Sequence, residues 1–140
     1  MRFPYRKEPV LASRAHPRRQ SVLRPRIRVR LKRQDRFVDI LALIDSRADD
    51  CLFPLWVAKL LRLRLRPENA CQYVGIGQGE ITAVFETVLL EVGEWSYPLY
   101  AGFLDAPIAP ALLGQSGFFN RFEVKFNLPR ETIELKTLKK

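Results

Sequence analysis

From Arg26 to Leu31 polar and apolar positions alternate strictly, with Arg26, Arg28 and Arg30 on one side and Ile27, Val29 and Leu31 on the other. A period of two is that of a β-strand with one wet face. Long arginine stems can lie along such a face and keep their heads in water. Gln34-Asp35-Arg36 reads as a polar turn. Phe37 to Ile44 is apolar except for Asp39, which predicts a strand buried on both faces, or nearly so, paired with the first as a hairpin. The polar cluster Asp45-Ser46-Arg47-Ala48-Asp49-Asp50 then breaks the run as a loop. Pro54 suits the first turn of a helix. Leu55, Val57, Ala58, Leu60, Leu61 and Leu63, with Trp56, Lys59 and Arg62 between them, predict a short amphipathic helix that Pro67 ends.

Beyond Gln72 the pattern is β again. Tyr73 to Glu80 is a glycine-bearing turn, and Ile81 to Val92 and Trp95 to Phe103 are strands on either side of Gly93-Glu94. Ala111 to Gly114 reads as a short buried strand and Gln115 to Asn120 as one or two helical turns. Arg121 to Phe126 and Thr132 to Leu138 alternate and close the chain as a hairpin. Met1 to Leu23 has no sustained period and carries Pro4, Pro9 and Pro17, so residues 1–23 are expected to form an extended basic arm before a domain at 24–140. Many short strands and only short helices predict an all-β barrel or sandwich.

A chain of 140 residues is long enough for one sizeable core. Its net charge of +9 is uneven, because up to Arg36 the only acids are Glu8 and Asp35, whereas later acids and bases nearly cancel. A basic arm can touch nucleic acid or an anionic membrane. This one has few aromatics and no nucleic-acid motif, so a solvated arm is expected and nucleic-acid binding is not. No run approaches the roughly 18 apolar residues of a membrane span. The N-terminal stretch lacks the apolar core of a secretory signal, so the expected location is the cytoplasm. Cys51, Cys71 and His16 do not sit at metal-ligand spacings, and neither a metal nor a cofactor is expected. Both cysteines, Trp56 and Trp95 are expected to serve in packing.

Two segments carry candidate chemistry. Gly75, Gly77 and Gly79 are spaced as in a phosphate loop, but such a loop opens a helix. Here β-prone Ile81 to Val88 follows, so a hairpin tip fits better. Asp45 comes directly after a buried strand, where a partly desolvated carboxylate needs partners and can act as an acid or base. Aspartic-protease chemistry uses two carboxylates that share a proton. The chain has no second Asp-Ser or Asp-Thr at a matching strand end, so the second carboxylate would come from a second copy by two-fold symmetry. Asp49 and Asp50 are expected to be solvated.

The segment Phe37 to Asp49, apolar up to Ile44 and then Asp45-Ser46-Arg47-Ala48, resembles the active-site segment of the retropepsin-like aspartic protease family, of the single-domain bacterial type. Phe53-Pro54 follows at the usual place. Tyr73 to Glu80 is similar to that family's flap, and Leu112-Leu113-Gly114 to the apolar-apolar-Gly element that supports the active-site loop. The continuation Asn120 to Val124 also looks like bacterial members. The match runs in order from about Arg24 to Lys136.

The resemblance implies a small closed β-barrel with one or two short helices that works as a homodimer on peptide or protein substrates. Asp45 would be the catalytic carboxylate, in a loop with Ser46, Arg47 and Ala48. Ser46 would bond across the dimer seam. Gly75, Ile76 and Gly77 would form the flap over substrate, and Leu113 and Gly114 would support the loop. One residue departs from the pattern: position 47 is Arg where the family has Gly. A Cβ and a long cation crowd the space used by substrate and partner loop. A guanidinium beside a carboxylate also favours the ionised form, whereas the dyad needs one neutral carboxyl. The expectation is an aspartic endopeptidase impaired by Arg47, with a non-catalytic peptide-binding or dimerisation module on the same fold as the alternative.

Overall fold

The computed structural model describes residues 1–74, 79–106 and 109–138. The protein is mostly β. The alternating arginine segment is β4 in a chain whose first strands are β1 (Arg2–Pro4), β2 (Arg6–Pro9) and β3 (Ser21–Arg24), with β4 itself at Arg26–Arg33. Ile27, Val29 and Leu31 are buried as the period requires. β5 (Arg36–Ile44) pairs with β4 antiparallel, Arg33 opposite Arg36, around a turn in which Gln34 takes φ +55°.

β5 is not buried on both faces along its length. Val38, Ala42 and Ile44 are buried, but Asp39 and Phe37 face water. Arg30 on β4 explains this outer face. It holds Asp39 in a bidentate pair at 2.7 and 3.1 Å, and its guanidinium lies 4.0 Å from the centre of the Phe37 ring. That hydrogen bond holds the Asp39 carboxyl below its usual range.

After the Asp45 loop come β6 (Leu52–Pro54) and α1 (Leu55–Leu60), then a 3₁₀ turn at Pro67–Asn69 and β7 (Ala70–Val74). The helix begins after Pro54, as expected, but it ends at Leu60 because Arg62 adopts a left-handed φ of +55°. β8 (Glu80–Val92) and β9 (Trp95–Leu104) form the longest hairpin. β10 (Leu112–Leu113), β11 (Phe122–Asn127) and β12 (Thr132–Thr137) complete the chain.

The main sheet runs β4-β5-β10-β6-β9-β8-β7, and β4 also pairs with β8. A second sheet has the order β1-β12-β11, and β2 pairs with β3. The first residues are thus strands anchored by backbone pairing, a contact that no side-chain period announces. The Glu8 carboxylate on β2 also meets Arg26 on β4.

The core is apolar, with Leu31, Phe53, Leu90, Phe103, Leu113 and Phe118 among its fully buried side chains. Tyr97, Phe118 and Phe122 pack ring on ring. The buried Tyr97 hydroxyl donates to the Gly117 carbonyl at 2.8 Å, which meets the need of a polar tip inside a core. Burial pushes the Tyr97 pKa up.

Three packing expectations change. Gln115 to Asn120 forms turns rather than a helix, because Gly117 has φ +107° and its N–H donates to Asn120 Oδ1. Cys51 is buried but Cys71 is exposed. Trp56 and Trp95 are 48% and 49% exposed, so neither is a core residue. Among the described residues, no helix is long and apolar enough to cross a membrane.

Candidate active site

Asp45 leaves the sheet at the end of β5, and main-chain bonds hold it there. β10 runs parallel to the end of β5, with Leu112 opposite Leu43 and Leu113 opposite Ile44. The Asp45 N–H donates to the Leu113 carbonyl at 3.0 Å, and the Leu43 N–H to the Ala111 carbonyl at 2.8 Å. A parallel partner distant in sequence therefore fixes the point at which the carboxylate emerges.

The loop then closes on itself. Asp45 Oδ1 accepts the Arg47 N–H at 2.9 Å, and the Asp45 carbonyl accepts the Ala48 N–H at 3.2 Å. An Asp side chain that bonds the backbone two residues on is a standard turn device. Asp45 and Ala48 are half-buried, whereas Ser46 and Arg47 are exposed.

The segment after β10 forms the other wall. The Gln115 N–H donates to the Ala48 carbonyl at 2.9 Å, the Ser116 N–H to the Asp49 carbonyl at 2.8 Å, and Gln115 Nε2 to the Ser46 carbonyl at 2.9 Å. Gly114 is the point of closest approach. A Cβ there would lie 2.3 Å from the Asp50 carbonyl oxygen and 2.6 Å from that of Ala48. The sequence places glycine where two backbone segments must touch.

Beneath the loop, the Cys51 sulfur accepts the Gly114 N–H at 3.4 Å and reaches the Ser116 carbonyl at 3.6 Å. Burial pushes the Cys51 thiol from 9.0 up to about 12, opposed in part by the Gly114 N–H. Asp50 is half-buried rather than solvated, and it accepts the hydroxyl of Tyr73 on β7. Burial first, and the Asp50 carboxylate second, raise the Tyr73 pKa. Asp49 is exposed.

The structure thus gathers Asp45, Ser46, Arg47 and Ala48 against Leu113 and Gly114. Gly75, Ile76 and Gly77 lie outside the described residues. At Ser46 the bond among the described residues is made by its backbone carbonyl. The Arg47 guanidinium forms no ion pair with Asp45, since the ion pairs among the described residues lie elsewhere. Arg47 approaches the carboxylate through its N–H alone.

Sequence reasoning missed Gln115, Tyr73 and the role of Cys51. Gln115 had one signal, its place directly after Leu112-Leu113-Gly114. Among the described residues, no group of three or more His, Cys, Asp or Glu side chains is placed to hold a metal. No family model and no curated protein matches the chain.

Proposed function

We propose that the chain is one subunit of a homodimeric, cytoplasmic aspartic endopeptidase of the retropepsin-like kind. The observation that carries this reading is the half-buried Asp45 at the end of β5, with its loop held between its own turn and the Leu113-Gly114 wall. The closed barrel of that family is supported by β4, which at one end of the strand order pairs with β5 and also, over three residues, with β8, the strand next to the other end.

In this reading Asp45 and its counterpart in a second copy share one proton. The ionised carboxylate takes a proton from water as the water oxygen attacks the peptide carbonyl carbon. The protonated carboxyl gives its proton to the carbonyl oxygen. Collapse of the tetrahedral species breaks the C–N bond, and the amine leaves with a proton returned from the pair. The half-buried side chains of Tyr73, Ile81 and Leu112, packed against Leu52, Ala83, Phe85 and Leu104, suit an extended peptide with apolar side chains.

A second reading is favoured by one residue. Arg47 stands exposed on the loop that a second copy or a substrate would face. A non-catalytic module that holds a peptide without cutting it keeps every other feature.

A peptide-cleavage assay across about pH 4 to 7 separates the two, because that range brackets a shared-proton pair. The chain is compared with Arg47→Gly, and Arg47→Gly/Asp45→Asn serves as the blank. The expected result is cleavage by Arg47→Gly, silence from the blank and weak or no cleavage by the unaltered chain. Equal cleavage by the unaltered chain would refute the crowding argument. Silence from Arg47→Gly on a broad peptide library would remove the enzyme reading and leave the binding module.

A further inference from the structure

Past α1 the chain stops being helical and its side chains alternate. Leu61 is buried and Leu63 and Leu65 are half-buried against the core, while Arg62, Arg64 and Arg66 are exposed. A continuing helix would spread these three arginines around its circumference. The left-handed turn at Arg62 instead leaves an irregular segment with a period of two, which sets them along one side.

There they line a groove together with Arg33 and Arg36, the two residues that flank the β4–β5 turn. Among the described residues, Asp35 and Glu86 are the acids that line the groove with these five guanidiniums.

Two observations separate this groove from an ordinary solvated surface. First, Arg33 and Arg36 stand directly opposite each other in the hairpin register. Like charges in that relation destabilise a strand pair, so the sequence keeps both against local stability, as binding sites do. Second, most charge elsewhere on β4 is neutralised: Arg26 meets Glu8, Arg30 meets Asp39 and Lys32 meets Glu91, and Arg28 alone of that remainder has no ion pair among the described residues. In the groove, Arg33 is tied to the Thr87 carbonyl at 3.1 Å and to Glu86 at 4.0 Å. Arg36, Arg62, Arg64 and Arg66 form no ion pair among the described residues.

We propose that this groove binds the phosphate backbone of a nucleic-acid duplex without reading its sequence. Guanidinium forks match phosphate oxygens two at a time, and every cation in the groove is an arginine. Among the described residues no aromatic ring lines it, so they offer no stacking platform of the kind unpaired bases use. The chain's net charge of +9 adds long-range attraction to a densely charged polymer. The site is distinct from the N-terminal arm and does not depend on the protease reading.

The test is fluorescence anisotropy of the full chain with a labelled DNA duplex of about 20 base pairs, titrated between about 50 and 200 mM salt. Arg62→Gln/Arg64→Gln/Arg66→Gln is expected to make the slope of log K against log salt shallower by about 3, roughly one unit per lost phosphate contact, and to weaken low-salt binding at least ~10-fold. Arg36→Gln is expected to lower the slope by about 1 while raising the melting temperature, because it relieves the like-charge pair. This second variant keeps the test informative if the triple variant folds poorly. Arg14→Gln/Arg18→Gln/Arg19→Gln, in the exposed arm, is expected to retain most of the slope. Three results overturn the proposal: an unchanged slope in the groove variants, a loss seen only in the arm variant, or displacement of the duplex by polyglutamate at equal charge. The last would assign the groove to an acidic protein segment.

Discussion

Substituting Gly114 by alanine tests whether the Asp45 loop is held as tightly as its geometry demands. The added Cβ would sit 2.3 Å from the Asp50 carbonyl oxygen and 2.6 Å from that of Ala48. Both obstacles are backbone, so neither can rotate away as the end of a side chain would. The φ of Gly114 is not in the left-handed region, so the cost comes from space rather than from backbone strain. Overpacking of a well-packed site costs about 1–3 kcal/mol, and two fixed carbonyls place this case near the upper end, at about 3 kcal/mol. Relief requires the loop to move away from β10. That motion stretches the Gln115 N–H bond to Ala48 and the Ser116 N–H bond to Asp49. For a domain of this size the loss corresponds to a fall of roughly 10 °C in melting temperature. Urea unfolding followed by circular dichroism gives the free energy, and amide exchange is expected to show Gln115 and Ser116 losing protection. Gly79→Ala is the matched control, since among the described residues no atom lies within 4 Å of the Cβ position there, and its effect is expected to stay within about 0.5 kcal/mol. If Gly114→Ala matches wild type as closely as Gly79→Ala does, the close approach of the two backbones is not a constraint and the reasoning fails.

Two further outcomes follow from the contacts around the loop. Tyr73→Phe removes the hydroxyl that Asp50 accepts and is expected to destabilise by about 1 kcal/mol in urea unfolding, the usual net worth of one hydrogen bond; no change would mean that water replaces the hydroxyl at no cost. In the native protein Cys71 is expected to react at once with a thiol reagent and Cys51 only on unfolding, because Cys51 is buried and Cys71 is exposed. The Cys51 thiol is raised from 9.0 to about 12 by burial, so the unfolded chain releases this proton first as pH rises. Its contribution to stability is present below about pH 9 and declines toward pH 12, by up to ~1.4 kcal/mol per unit. Cys51→Ala is expected to flatten that part of the alkaline limb, and an identical limb would refute the assignment.

Most strands were legible because their burial follows a simple period. β4, β11 and β12 lie within a residue or two of the alternating runs and β8 and β9 of the β-prone ones, and the turns fall at Gln34-Asp35 and Gly93-Glu94. Elements fixed by backbone contact rather than side-chain pattern were not legible. β1 is a strand because Arg2, Phe3 and Pro4 lie opposite Glu134, Ile133 and Thr132, a relation between residues more than a hundred positions apart. The one or two helical turns expected over Gln115 to Asn120 give way to irregular turns at the positive φ of Gly117, where a Cβ would lie 2.2 Å from Leu99 Cδ1. At the candidate site, Asp45 stood out by its place after an apolar strand, whereas Gln115 acts through a backbone N–H and a side-chain amide whose targets are loop carbonyls. Such roles leave no residue-type signature. The arginine groove was hidden for a related reason. Arg33 and Arg36 flank a turn between two strands and Arg62 falls in the expected helix, and only the fold brings them together.

Position 47 is where the proposed retropepsin-like reading meets its one departure, and the loop itself accommodates the arginine. The loop uses Arg47 through its N–H, which donates to Asp45 Oδ1, and any residue except proline supplies that donor. Arg47 is not among the residues of positive φ, so the turn does not require glycine for its own geometry. Its side chain is exposed, and the wall of the loop is built by Gln115 and Ser116 on the other side. Within one chain, therefore, Arg47 displaces nothing. Its steric and electrostatic effects fall on whatever approaches the outer face of the loop, a substrate or a second copy. Stability measurements on the single chain are blind to that difference, and turnover by Arg47→Gly is sensitive to it. The protease and binding-module readings consequently diverge at one exposed side chain and share the rest of the fold.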